Sequence, residues 1–230
     1  AFSLLFYQGF IYSWQLKLSD GFFLDSQPSP EIVIVGIDGK TLSKLGRWPI
    51  NRNYYINALE NLEKAGARTI GVDILFSEPS VGDDDSRLDQ FIKSQTNIVQ
   101  PILVEFPEKQ KVKDLLLAEK ITAPIIGGFS QENLTSFGHI NISPDSDSIT
   151  RRVPLIVKSE KYNIPSFSLR ILENVDSTRF SYPYKSDDNI FFGNVKIPAD
   201  QYGRMIINFA GAPKTFPFIS FSDIVEGGFD

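Results

Sequence analysis

No cysteine occurs in the 230 residues of this chain. That excludes disulfides, thiolate metal sites and cysteine nucleophiles, and leaves the compartment open, since many periplasmic proteins also lack cysteine. There is one histidine, His139, so any Ser-His-Asp site would have to use it, and no Gly-x-Ser-x-Gly elbow surrounds a serine. Gly-x-Gly-x-x-Gly and Gly-x-x-x-x-Gly-Lys are both absent, so the sequence contains neither nucleotide loop, and no cofactor is expected. Positive charge is not in excess either: 23 basic and 28 acidic residues leave a net charge of -5. Without a basic stripe, this balance argues against nucleic acid as the main partner. No internal repeat, low-complexity tract or interdomain linker divides the chain. What is present is a hydrophobic content of 42%, enough for one sizeable core or for a core with an attached subdomain.

The most informative stretch runs from Ile32 to Pro79. Ile32-Val33-Ile34-Val35-Gly36-Ile37 leads into Asp38, and Thr69-Ile70-Gly71-Val72 leads into Asp73 and on to Ile74-Leu75-Phe76-Ser77-Glu78-Pro79. Near-continuous apolar runs of this length read as strands buried on both faces, as in a parallel sheet. Between them Asn51 can cap a helix with Tyr55, Ile56, Leu59 and Leu62 as its apolar stripe. Glu60 is placed to pair with Lys64, and Gly66 ends the helix. This predicts a βαβ unit with the two runs as adjacent strands, Asp38 and Asp73 at the edge where α/β proteins bind ligands, and Arg52 as their counter-charge.

Downstream, Asp83-Asp84-Asp85-Ser86 offers caps for a second helix carrying Leu88, Phe91 and Ile92. Asn97 to Val104 predicts a third strand, in which Pro101 calls for an edge or a bulge. Lys109 to Lys120 is charged and predicts a surface helix, and Gly127-Gly128 marks a turn before the strand-like Phe137 to Ile142. In the second half, short runs at Val153–Val157, Ile190–Phe192 and Met205–Phe209 alternate with Asn, Asp, Gly and Pro clusters, which predicts antiparallel strands. The expected fold is therefore α/β, a βαβ-type, mostly parallel sheet with flanking helices, extended by an antiparallel β-rich carboxyl-terminal portion.

The arrangement resembles the type-2 CHASE domain, an extracellular sensory module of bacterial receptors whose cytoplasmic outputs are adenylate cyclases, histidine kinases, diguanylate cyclases or protein kinases. The resemblance rests on the strand ending in Asp38, the Leu45-Gly46 and Trp48-Pro49 pairs, Arg52 opening the helix and Leu62 to Gly66 closing it. Val72-Asp73-Ile74-Leu75-Phe76 with Glu78-Pro79 completes this part. Weaker matches are Asp83 to Asp85, Arg151-Arg152-Val153-Pro154-Leu155, Pro165-Ser166-Phe167-Ser168-Leu169, Ile206 to Gly211 and Phe221-Ser222-Asp223-Ile224. Departures are Gly39 after Asp38, and Ile50-Asn51 after Trp-Pro. The resemblance implies a sensor without catalytic activity of its own, on the periplasmic or extracellular face of the bacterial cytoplasmic membrane. It also implies that a further carboxyl-terminal strand and membrane helices follow Asp230.

The first 24 residues are rich in Phe, Leu, Ile, Tyr and Trp. They are interrupted by Gln8, Gly9, Ser13, Gln15 and Lys17, and so fall short of the roughly 20 mostly apolar residues of a membrane span. They read as a juxtamembrane helix ahead of an extracytoplasmic domain over residues 25–230, and the opening on Ala1 reads as the start of a fragment. Homodimerisation, contact with a membrane through flanking helices and an unknown small ligand or ion are the expected partnerships.

The candidate ligand-binding residues are Asp38, Trp48, Arg52, Asp73, Glu78, Arg151 and Arg152. Asp38, Asp73 and Glu78 could gather around a hard cation or act as acid and base, with Asp38 and Asp73 the weak metal candidates; the alternative is that they cap helices and pair with Arg52. Trp48-Pro49 could be an aromatic platform, but packing at the start of the helix is favoured. The guanidinium groups of Arg151 and Arg152 could hold an anion; the alternative leaves one in solvent and the other paired with Asp145 or Asp147. His139, in an apolar strand, reads as a hydrogen-bonded core or edge residue. The rival functions are a carboxylate-based metal hydrolase using Asp38, Asp73 and Asp83 to Asp85, and an adhesive or scaffolding domain.

Overall fold

The computed structural model of the chain describes residues 27–80, 82–107, 114–142, 144–145 and 147–228. The helix expected over residues 1–24 lies outside them. Strand β1 (Ile34–Gly36) runs through Asp38 into a short helix, α1 (Gly39–Leu45). Helix α2 (Arg52–Lys64) starts and stops where its sequence says. The Asn51 side chain accepts the Asn53 N–H at the start. At the end, Gly66 takes φ +85° while its N–H bonds Glu63 O and the Ala67 N–H bonds Leu62 O, the paired bonds of a Schellman motif. Tyr55, Ala58 and Leu59 are buried, with Ile56 and Leu62 partly buried against the same core. Removing a large apolar side chain from water in this way stabilises by roughly 1.5–3 kcal/mol.

The parallel unit follows one step later than the sequence suggests. Strand β2 (Ile70–Gly71), helix α3 (Asp84–Ser94) and strand β3 (Ile98–Glu105) form the βαβ crossover, with Ile70 opposite Ile98 and Gly71 opposite Val99. The expected pairing of β1 with β2 is corrected. β1 instead pairs in parallel with β14 (Phe218–Ser220), Ile34 opposite Phe218, and no ladder joins β1 to β2 among the described residues. Hydrophobic periodicity marks a strand but carries no information about its partner, and here the partner comes from the far end of the chain.

Strands β4 (Leu116–Leu117) and β5 (Lys120–Thr122) occupy the described end of the stretch expected to be a surface helix. β3 pairs antiparallel with β5 and parallel with β6 (Phe137–His139). Pro101 is therefore neither on an edge strand nor at a bulge. Backbone groups alternate sides along a strand, so its nitrogen points to the side where β2 has ended and β5 has not begun, and no ladder bond is lost.

Apart from β14 and a parallel contact with β4, the strands of the second half pair antiparallel, as the turn-rich pattern predicts. β7 (Arg152–Pro154) pairs with β13 (Arg204–Ile206), β8 (Ile156–Lys158) with β9 (Asn163–Pro165), and β10 (Tyr184–Ser186), β11 (Asn189–Phe192) and β12 (Val195–Pro198) form a meander. The fold is mixed α/β, with parallel strands, flanking helices and antiparallel strands towards the carboxyl end.

Two glycines set the layering. Helix α4 (Phe167–Val175) lies so close to the sheet that a Cβ at Gly71 would sit 2.6 Å from Ile171 Cδ1, and one at Gly138 2.5 Å from Phe167 Cα. On the opposite face, α2, α3 and α5 (Phe221–Glu226) cover a core that includes Tyr55, Leu59, Ile70, Phe76, Leu88 and Ile224.

Candidate functional site

Three networks account for most of the residues singled out from the sequence. The first joins the ends of β1 and β14. Asp38 is the N-cap of α1, its carboxylate accepting the Thr41 N–H at 2.9 Å and the Ser220 hydroxyl at 2.8 Å. These bonds, the backbone one first, hold its carboxyl below the usual range. Thr41 Oγ1 also accepts the Ser222 N–H at 3.1 Å. Lys40 pairs with Asp223 and Lys44 with Glu226 at 2.6 and 2.7 Å, so two strand-to-helix corners are clasped side by side.

The second network closes over the end of β2. Arg52, 8% exposed, donates Nε to Asp85 Oδ1 at 3.0 Å and Nη2 to the Glu78 carbonyl at 3.2 Å, with its guanidinium 4.4 Å above the Phe76 ring. Asp85 also accepts the Ser80 N–H at 2.5 Å. Burial works to raise the Asp85 carboxyl, but the bonds from Ser80 and Arg52 outweigh it and hold it low. Asn51 and Asn53 donate to Asp84 at 2.7 and 2.8 Å. The counter-charge of Arg52 is thus Asp85, not Asp38 or Asp73, a correction that follows from α3 starting beside α2.

The third network is a buried knot at β7. Arg151 forks onto Asp147 with two bonds of 2.9 Å, and Arg152 reaches Asp145 at 2.7 Å. Neither arginine is left in solvent as expected for one of them, because the turn 145–150 folds both carboxylates back onto the strand. Arg151, at 3% exposure, is committed to this pairing.

Three candidates are left facing water. Asp73 and Glu78 are exposed, and their side chains have no hydrogen-bond or ion-pair partner among the described residues. Trp48 is 55% exposed, which corrects the packing role expected for it. Ile50, two residues on, fills the buried position at 3% exposure, so the loop needs no second plug and turns the indole outward. Among the described residues no group of three or more His, Asp or Glu side chains could hold a metal, so Asp38 and Asp73 gather no third ligand. A groove of about 440 Å³ lies elsewhere, between the turns around Glu119 and Glu160, and none of the candidate residues lines it.

The CHASE2 domain model matches residues 1–230, the whole chain. The chain belongs to the CHASE2 domain family. CHASE2 domains are extracellular sensory domains of signalling receptors rather than catalytic ones. No curated protein and no solved structure matches the chain. Among the described residues, no helix is long and apolar enough to cross a membrane.

Residues that sequence reasoning missed in this CHASE2 domain share a physical cause. Asp85, Ser220 and Arg170 act through contacts distant in sequence. Arg170, 1% exposed, donates Nε to the Phe137 carbonyl at 3.1 Å and pairs with Glu173. Only the acidic run 83–85 carried a usable signal. Its pattern suggests helix caps, but Asp83 makes no side-chain cap bond.

Exposure of Trp48 reverses the expectation for its removal. Trp48→Ala should leave denaturant stability within about 0.5 kcal/mol of wild type, as for surface substitutions generally. The 3–5 kcal/mol loss expected of a buried indole, read from a urea titration, would place the ring in the core instead.

Proposed function

We propose that this chain is the extracytoplasmic sensor of a bacterial transmembrane receptor, acting at the periplasmic or extracellular face of the cytoplasmic membrane. It passes a signal to a cytoplasmic effector such as an adenylate cyclase, histidine kinase, diguanylate cyclase or protein kinase. The whole-chain family match carries this reading. Flanking helices connect it to the membrane, and the working unit is a homodimer.

Ligand contact is assigned to Trp48, Glu78 and Asp73. They are exposed, and their side chains make none of the hydrogen bonds or ion pairs that occupy the other candidates among the described residues. Asp38, Arg52, Arg151 and Arg152 hold the frame. An exposed indole and exposed carboxylates are groups that suit a small polar or cationic ligand, the ring supplying its face and the acids their charge. The assignment is supported by what each group is free to do, since a guanidinium already paired on two sides has little left for an outside anion.

A melting screen of divalent cations, small carboxylates, sugars and amino acids tests this, with phosphatase, esterase and glycosidase assays alongside. A ligand binding the native state alone, at a hundredfold excess over its Kd, should add about 2.7 kcal/mol, a rise of a few degrees in Tm, without turnover. Trp48→Ala and Glu78→Gln should each weaken that rise. Metal-dependent turnover abolished by both Asp38→Asn and Asp73→Asn would replace the sensor with a hydrolase.

A further inference from the structure

Parallel sheets carry helices on both faces because each face is apolar. Here β2 and β3 are covered on one face by the α2, α3 and α5 layer and on the other by α4, yet among the described residues β1 and β14 are covered on one face only. Strand alternation puts Val35 and Ile219 towards the core with α2 and α5. It puts Ile34 and its register partner Phe218 on the other side, where they are 44% and 47% exposed, with Ile32 at 49%. The edge of the Phe218 ring comes so close to Gly36 that a Cβ there would be 2.3 Å from it. The result is an apolar floor of Ile32, Ile34 and Phe218.

The chain's own course indicates what covers this floor. Immediately before β1, the Ile32 N–H bonds the Ser29 carbonyl at 3.2 Å, closing a turn with Pro30 at its second position, where the fixed φ of proline suits a turn. A turn there reverses the chain immediately ahead of β1. The inner face is already filled by helices, which leaves the open one. The sequence ahead of the turn contains Phe2, Leu4, Leu5, Phe6, Phe10, Ile11, Trp14, Leu16 and Leu18, against a single lysine and a single aspartate before residue 25.

We propose that the open face of β1 and β14 is the docking site for this chain's own residues 1–24. An apolar segment then meets an apolar floor at no cost in translational entropy, since the two are tethered by a few residues. The contact reaches both the first and the last described strand. A shift of the segment would therefore be felt at Phe218 and, through the Asp38–Ser220 bond, at the clasp between α1 and α5. The proposal stands apart from the ligand assignment: the melting screen does not probe this contact, and the experiment below does not depend on any ligand.

Because the chain has no cysteine, introduced pairs report proximity without background. In the full chain, Ile34→Cys is combined in turn with Phe6→Cys, Phe10→Cys, Trp14→Cys and Leu18→Cys, then oxidised and resolved on non-reducing gels with mass-spectrometric assignment. The control partner is Lys64→Cys, on the helix layer of the opposite face. Docking predicts intrachain disulfides to Ile34 for some of the four positions, several-fold above the Lys64 control. Should Ile34→Cys fail to fold, Phe218→Cys takes its place with the same expectation. Yields equal to the control, or disulfides formed only between two chains, overturn the proposal, the second outcome assigning the face to another copy. Independently, in Trp48→Phe the emission of Trp14 should be blue-shifted and should move to the red on Ile34→Asp. Emission already at the solvent position before that change counts against docking.

Discussion

Replacing Asp85 with alanine is expected to lower the stability of the domain by about 3–5 kcal/mol, because it leaves the Arg52 guanidinium buried without its carboxylate. The two side chains are 10% and 17% exposed, so the pair is shielded from solvent and salt, unlike the surface pair Glu60–Lys64, which is worth little. In a domain of this size the loss corresponds to a fall in Tm of about 6–20 °C. The carboxylate also holds the Ser80 N–H, so its removal frees the turn between β2 and α3. The double variant Arg52→Met with Asp85→Leu should recover much of the loss, since replacing both charges with apolar groups of similar volume is often neutral. A thermal melt of the two variants decides the point. If Asp85→Ala melts like wild type, Arg52 is solvated in solution and returns to the ligand-binding candidates.

The local parts of this fold could be read from the sequence because their causes are local. Asn51 as cap, Gly66 as stop and the Tyr55–Leu59 stripe are all decided within one helix, and the structure has each in place. The strand positions around Ile34, Ile70 and Ile98 were equally legible. Pairing was not. β1 pairs with β14, Ile34 opposite Phe218 and Val35 opposite Ile219, and nothing near Ile34 encodes that partner. The same limit governs the site. Charge at a strand end was visible, but whether it is spent on a cap, as in Asp38, or left to solvent, as in Asp73, depends on Thr41 and Ser220 arriving from two directions. Trp48 fails for a subtler reason: two apolar residues flank Pro49, only one can occupy the core, and the sequence does not say which.

The largest pH effect should come from His139. It is 1% exposed on β6, and neither ring nitrogen has a hydrogen-bond partner among the described residues; the Gln100 amide is likewise buried without one. Gln100 and His139 project from the same face of adjacent strands, because Gln100 is opposite Phe137 and Ile102 opposite His139. Burial without a partner penalises the charged imidazole and pushes its pKa down from 6.5 to about 3. The unfolded chain therefore binds a proton near pH 6.5 that the native state refuses until about pH 3. The contribution of this residue is full above pH 6.5 and is lost as pH falls through that window, at up to about 1.4 kcal/mol per pH unit. Between pH 6.5 and 4 the loss is about 3 kcal/mol by that rule. The carboxylates with lowered pKa values, Asp38, Asp85, Asp147 and Asp176, act with the same sign but only at and below the ordinary carboxylate value of 3.8, so the upper part of the window belongs to the histidine. Urea titrations at pH 7, 5.5 and 4.5 should show falling stability in the wild type and a nearly flat profile in His139→Phe. A wild-type profile flat across this range would mean that the imidazole accepts its proton in the folded protein, through a buried water or the Gln100 carbonyl.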